Sequence, residues 1–223
     1  MLDLPKKIGP FTLMRPLGTT NCEPEYTAIL DSPAGARAVI RQLNLNGDEF
    51  QEAAEGLTTR IQQIKRRCSP HLVPILFAHA EDNSYYVAED RCEQISLGTL
   101  IDWCLKEGKR LPAPIFLHLT IQACRGLEAL HESSKGGKSK APTLHEALCP
   151  SALFLSREGT CRLGSYGLTP ISAGGIPGSI SIEASRLANL SPEQTSSSRR
   201  LQPSSDIFSL ATTFYELWAL KSM

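Results

Sequence analysis

Charge of one sign is nowhere in excess. Lysine plus arginine and aspartate plus glutamate number 23 each in 223 residues, and neither sign forms a long run. The electrostatic footprint of a nucleic-acid or anionic-membrane binder is therefore missing, and proteins or small molecules are the partners left. Cysteine pairs at redox or metal spacing are lacking too. The seven cysteines, at 22, 68, 92, 104, 124, 149 and 161, are odd in number, scattered and free of any C-x-x-C, which argues against a disulfide framework or a zinc site. A reducing, cytoplasmic setting is the expectation. The opening MLDLPKK carries no apolar signal-peptide core, and no stretch approaches the roughly 20 apolar residues that span a bilayer. Secretion and membrane insertion are not expected, and no internal repeat is visible.

What is present is enough apolar material for a core: 41% of residues are hydrophobic and 21% charged, which suits one domain of two lobes or two small domains. FTLMRPLG, EYTAIL and ARAVIRQL, the last two separated by the turn signal DSPAG, alternate apolar and polar positions as antiparallel strands do. Two more strands are expected in LVPILFAH and SYYVAE. Ahead of these two, from Asp48 to Arg67, Phe50, Ala53, Ala54, Leu57, Ile61 and Ile64 recur at helical spacing, with Gly56 as a weak point. Beyond Cys92 the pattern turns helical. LGTLIDWCLKEG ends on a glycine cap signal, and PAPIFLHLTIQACRGLEALH opens with prolines and keeps an apolar stripe. SSKGGKSKAP and ISAGGIPGSIS are expected to be solvated, flexible loops.

SPHLVPIL at 69–76, TLHEALCPSALFL at 143–155, CRLGSYGL at 161–168, LSPEQ at 190–194 and SSDIFSL at 204–210 follow one another in a specific order. With the strand-rich first part and helix-rich second, they resemble the protein kinase family over residues 8 to 220, most closely bacterial serine/threonine kinases. The resemblance implies an α+β, two-lobe fold: a five-stranded antiparallel sheet with one helix over 8–91, and a mainly helical lobe over 92–223 in which the family's last helices are not represented.

Function needs a site as well as a fold. Phosphoryl transfer in this family uses a lysine on the phosphates, a glutamate holding it, metal-binding side chains and a carboxylate that orients the hydroxyl. By the resemblance, Arg41 stands at the lysine position and Arg60 at the glutamate position, so two cations are expected to face each other. In HEALCPSA, Ala147 replaces the aspartate, Cys149 the second lysine and Ala152 the metal-binding asparagine. Ser165 replaces the metal-binding aspartate and is a poor magnesium ligand. Glu146 fills an arginine slot. In the nucleotide pocket only Gly18 remains of three glycines, while Glu23, Glu25, Val39, Arg41 and Phe154 bring charge and bulk. Arg186 replaces the threonine before the LSPEQ motif. Scaffold positions persist: Ile64, Ile75, His145 and Tyr166 match a stacked column, Asp206 the aspartate that holds the catalytic loop, and Glu193 the acid that closes the activation segment.

These replacements set the expectation of a pseudokinase: no enzyme, no bound cofactor or metal, and a protein partner, another kinase or a second copy. Under the alternative, ATP and magnesium serve residual serine/threonine phosphotransfer, and a third possibility is a truncated remnant without a role. Cys149 beside His145 suggests a thiol nucleophile less well than an incidental cysteine. TSSSRR at 195–200 fits a solvated loop better than a phosphoacceptor patch, and His71 and His79 are lone histidines. Phe208, Phe214, Tyr215 and Trp218 fit a core rather than a cofactor box.

Two structural expectations follow. Antiparallel pairing of EPEY with AVIR puts Glu23, Glu25 and Arg41 on one face, where Arg41 should meet a glutamate. The segment DIFSLATTFYELWALKSM is apolar almost all round, so one flank of that helix is expected to be exposed.

Overall fold

The structure is a computed structural model and describes residues 3–20, 23–32, 35–45, 50–65, 67–91, 94–132, 142–166, 188–195 and 200–221. Arg186, Cys22, Cys92, Asp48, the stretch 171–181, almost all of the loop 133–142 and most of the run 195–200 lie outside them. The chain divides into two compact units, Met1–Arg66 with Val73–Cys92, and Arg67–Leu72 with Glu93–Met223.

The first unit is an antiparallel sheet. β1 (Lys6–Ile8), β2 (Phe11–Thr20), β3 (Glu23–Leu30), β4 (Arg37–Asn44), β5 (Ile75–Glu81) and β6 (Ser84–Glu89) lie in the order β1-β2-β3-β4-β6-β5. The five expected strands are β2 to β6; the three-residue β1 adds an edge. Residues opposite one another in an antiparallel pair share a face and neighbours alternate, so the register assigns the two surfaces. Tyr26, Ile40 and Ala88 stand in one row and pack with Ile8, Phe11, Leu13, Ala28, Ala38 and Tyr86 in a buried cluster. Glu25, Arg41 and Val87 form the next row, on the other face. Over that other face lies α1 (Phe50–Ile64), which ends before the expected Arg67, burying Ala54, Leu57, Ile61 and Ile64. The hydroxyls of Thr58 and Tyr85 meet at 2.8 Å. Each fully buried leucine or isoleucine there contributes about 1.5–3 kcal/mol, which outweighs the propensity cost of Gly56.

In the second unit, α2 (Leu97–Glu107) begins at Ser96, whose Oγ accepts from the Thr99 amide, and ends where Gly108 turns left-handed at φ 62° and donates to Cys104 and Leu105. That is the glycine stop the sequence signals. α3 (Ala113–His131) opens on Pro112 and Pro114. Its Gly126 lets the backbone of 71–72 approach, since a Cβ there would meet the His71 carbonyl at 2.6 Å. Leu72 in turn bridges to Leu163, and the Leu163 amide donates to the His71 carbonyl at 2.9 Å. A small sheet joins β7 (Ile95–Ser96), just before α2, to β8 (Leu153–Leu155) and β9 (Cys161–Leu163), which follow the turn Pro150–Ala152. α4 (Pro203–Ala219) starts at a capping box of Gln202 and Ser205.

α4 departs from the expected all-round apolar helix. Ser205, Asp206, Ser209, Thr212, Thr213 and Glu216 are buried polar residues. Thr212 and Thr213 donate to the Asn189 Oδ1 at 2.8 and 3.0 Å, and the Asn189 amide nitrogen donates to Glu216 at 3.1 Å. Of the four aromatics expected in the core only Phe214 is buried, edge-on to Phe116 at 5.8 Å. Tyr215 and Trp218 are about half exposed, and Phe208 and Ile207 also face solvent.

Candidate functional site

The first unit holds a cluster of buried charges. Arg41 is 1% exposed, Glu25 4%, Glu89 0% and Arg91 6%. The cross-strand pair expected from the sequence is formed: Arg41 Nη2 and Nε donate to Glu25 Oε1 at 3.0 and 3.2 Å. Glu23 Oε2 lies 3.7 Å from Arg41 Nη1, and Glu89 Oε2 lies 3.8 Å from Nη2. Arg91 donates from Nη2 to the same Glu25 oxygen and from Nε to Glu89 at 2.9 Å. Burial pulls the Arg41 guanidinium toward neutrality, but the carboxylates of Glu89, Glu25 and Glu23 more than offset this and hold it charged.

Arg60 sits half-buried on α1; the acids around Arg41 come from β3 and β6, and a second cation of the cluster is Arg91. Glu89 and Arg91 were missed because register extended from Arg41 reaches Val87. Glu89 stands two residues on, opposite Val39 on the same face, and Arg91 follows the strand's end.

In the second unit a carboxylate organises a loop. Asp206 accepts the amides of His145 at 2.8 Å and Glu146 at 2.9 Å, and pairs with His131 Nε2 at 2.7 Å. Burial raises the Asp206 carboxyl, yet the hydrogen bond to His131, the charge of His145 and the two amides outweigh it and hold the group below its ordinary value. His145 is fully buried, contacts the Gly164 carbonyl at 3.0 Å through Nε2, and meets Tyr166 edge-on at 6.3 Å between centroids. Glu146 takes a left-handed backbone at φ 66°, and its carbonyl accepts from Gln194 at 2.6 Å. Asn189, which ties the segment around Gln194 to α4, had no sequence signal beyond its place just before LSPEQ.

Ala147, Cys149 and Ala152 are buried along this loop, with Cys149 Sγ 3.1 Å from Ser151 Oγ. Ser165 is buried at φ 61°. Phe154 is buried in β8, and Glu193 is half-buried in the turn 192–195. Val39, Ile64 and Ile75 are buried in the first unit, where Gly18 at φ 142° pairs with Glu25. At the positions that would hold magnesium, Ser165 and Ala152 supply one hydroxyl and no carboxylate. That donor set does not fit a hard cation.

A curled antiparallel sheet with one helix, followed by a helical unit with an aspartate-anchored loop, defines a kinase-like protein. The family model for protein tyrosine and serine/threonine kinases matches residues 22–223, and the chain belongs to that family. It is 20% identical over 218 residues to the tyrosine-protein kinase MasK of Myxococcus xanthus, covering 97% of this chain and 34% of the relative. It is 23% identical over 190 residues to the mouse serine/threonine-protein kinase Nek1, covering 84% and 14% respectively. To the mouse serine/threonine-protein kinase Nek2 it is 29% identical over 142 residues, covering 62% and 30%. The chain thus spans about a third or less of these relatives. These matches overturn the expectation that the chain is not an enzyme: the family model describes kinases, and the relatives are named as kinases. Among the described residues, no helix is long and apolar enough to cross a membrane.

Proposed function

We propose that the chain is a cytoplasmic, protein-recognising regulatory domain of the kinase family, whose partner is a second copy of this chain. The observation that carries this is the outer side of α4, where Ile207, Phe208, Tyr215 and Trp218 are 57%, 38%, 51% and 49% exposed. Aromatic side chains gathered on one helix are the residue types that anchor protein interfaces. Recognition of this kind requires neither nucleotide nor metal. Sedimentation velocity at tens of micromolar, wild type against Phe208→Asp/Trp218→Asp, tests it. Association is expected for the wild type and lost in the variant, while a strictly monomeric wild type contradicts it.

A second reading, ATP-dependent phosphotransfer to a protein hydroxyl, is favoured by the names of the relatives. Incubation with radiolabelled ATP, magnesium and a generic protein substrate distinguishes it, since incorporation above a heat-denatured control supports this chemistry.

A further inference from the structure

α4 keeps its charges inside and most of its aromatic residues outside. Asp206 and Glu216, the charged residues of the helix, are both buried, while Ile207, Phe208, Tyr215 and Trp218 face solvent. The exposed positions Ser204, Phe208, Ala211, Tyr215 and Trp218 recur at alternating steps of four and three residues, the period of a seam that a second helix covers. Side-chain size is graded along this seam. Ser204 stands near one end and Trp218 near the other, and the smallest residue, Ala211, falls at the midpoint of Pro203–Ala219. The Trp218 ring already leans on that of Phe116 from α3, 4.8 Å away between centroids, so covering it costs little further side-chain freedom.

We propose that two copies of the chain pair α4 against α4, antiparallel, about a two-fold axis at Ala211. Equal antiparallel helices overlap along their whole length only when the axis passes through their midpoint. Ser204 of one copy then lies opposite Trp218 of the other, Ile207 lies opposite Tyr215, and Ala211 meets its own counterpart where the backbones come closest. A two-fold interface uses one patch twice and must be complementary to itself; the small-to-large order of this seam meets that condition. A parallel pair in register would set Phe208, Tyr215 and Trp218 each against itself and leave gaps at Ser204 and Ala211. Charge agrees with the antiparallel pair. The seam carries none, the chain has 23 cations and 23 anions, and antiparallel helices bring opposite ends of their dipoles together. Three partly exposed aromatic residues and an isoleucine from each copy cover on the order of 1,000 Å² in total, the lower end for a specific interface, which suits a reversible dimer. The inference rests on the recognition reading above and adds to it the orientation of the pair.

The test places one cysteine at a time on the seam of the full chain and adds a short bismaleimide cross-linker, with peptide mapping of the linked residues. The wild type, whose Cys68 and Cys124 are exposed, is the control. Ala211→Cys should give a covalent dimer linked through position 211, well above the wild-type background. Ser204→Cys should give none through position 204, since antiparallel pairing sets those two positions about 20 Å apart at about 1.5 Å per residue. Both substitutions leave the four apolar residues in place, and sedimentation velocity without cross-linker reports whether each variant still associates. If both variants link through the new cysteine, the pair is parallel and the proposal is overturned while the recognition reading stands. Dimers in sedimentation with no link through position 211 overturn it as well. A wild type that is strictly monomeric at tens of micromolar removes the recognition reading and the proposal together.

Discussion

Each unit buries a carboxylate, and the two use it differently. In the sheet unit Glu25 binds side-chain cations, Arg41 on the neighbouring strand that the backbone ladder already holds in register and Arg91 just past the end of β6. In the helical unit Asp206 binds backbone amides of a segment, 142–149, that has no regular structure of its own. A charge pair on a sheet decorates a backbone that pairs without it; a carboxylate on a loop is what the backbone pairs with. Buried ion pairs are therefore replaceable as sets, whereas buried amides need their acceptor.

The largest effect should come from breaking the sheet cluster at one member. Arg41→Met leaves Glu25, Glu23 and Glu89 facing one another and is expected to cost about 3–5 kcal/mol in urea unfolding. Adding Glu25→Leu should recover much of that loss, because the remaining Arg91–Glu89 pair balances itself. If the double variant is less stable than the single, the sheet charges are as indispensable as the loop's.

Asp206→Ala strands two amides and His131 and should cost at least about 2 kcal/mol, from about 1–3 kcal/mol for each stranded amide. Hydrogen exchange should speed up at the amides of 145 and 146 and leave the sheet unchanged. Because the folded-state pKa of Asp206 lies below the ordinary value of 3.8, its contribution is present above that value and is lost as the pH falls through the depressed pKa. Wild-type stability should therefore drop more steeply than that of Asp206→Ala on acidification below about pH 4.

Glu216 provides the smallest effect and the opposite sign. Burial raises its carboxyl above the ordinary 4.5, only partly countered by the hydrogen bond from Asn189. Stability should fall as pH climbs from that value through the raised pKa and then level off. Glu216→Gln keeps the acceptor for Asn189, removes the charge, and should raise the Tm at pH 7 by about 2 °C.

The same contrast governs what was legible in the sequence. β2 to β6 alternate over six or more residues, long enough for period two to be counted, and antiparallel register then placed Arg41 against Glu25. β1 and β7 to β9 have two or three residues each, too few to show a period. Arg91 escaped because it lies past the end of β6, where register no longer applies. On α4 the apolar count concealed a polar side: Ser205, Ser209, Thr212, Thr213 and Glu216 are spaced as one face, and the last three bond to Asn189, which is remote in sequence. Residues 67–72 fall inside the sheet lobe expected over 8–91, yet their contacts with Leu163 and Gly126 place them in the helical unit.

The claim that the chain acts through the outer side of α4 is tested most directly by melting it at several concentrations. If copies associate there, the wild-type Tm should rise with protein concentration, as it does whenever a partner binds only the folded state. In Phe208→Asp/Trp218→Asp, substituted at exposed positions, the Tm should be independent of concentration. A wild-type Tm that stays constant from about one to one hundred micromolar, a range over which a micromolar association would register, would contradict the account.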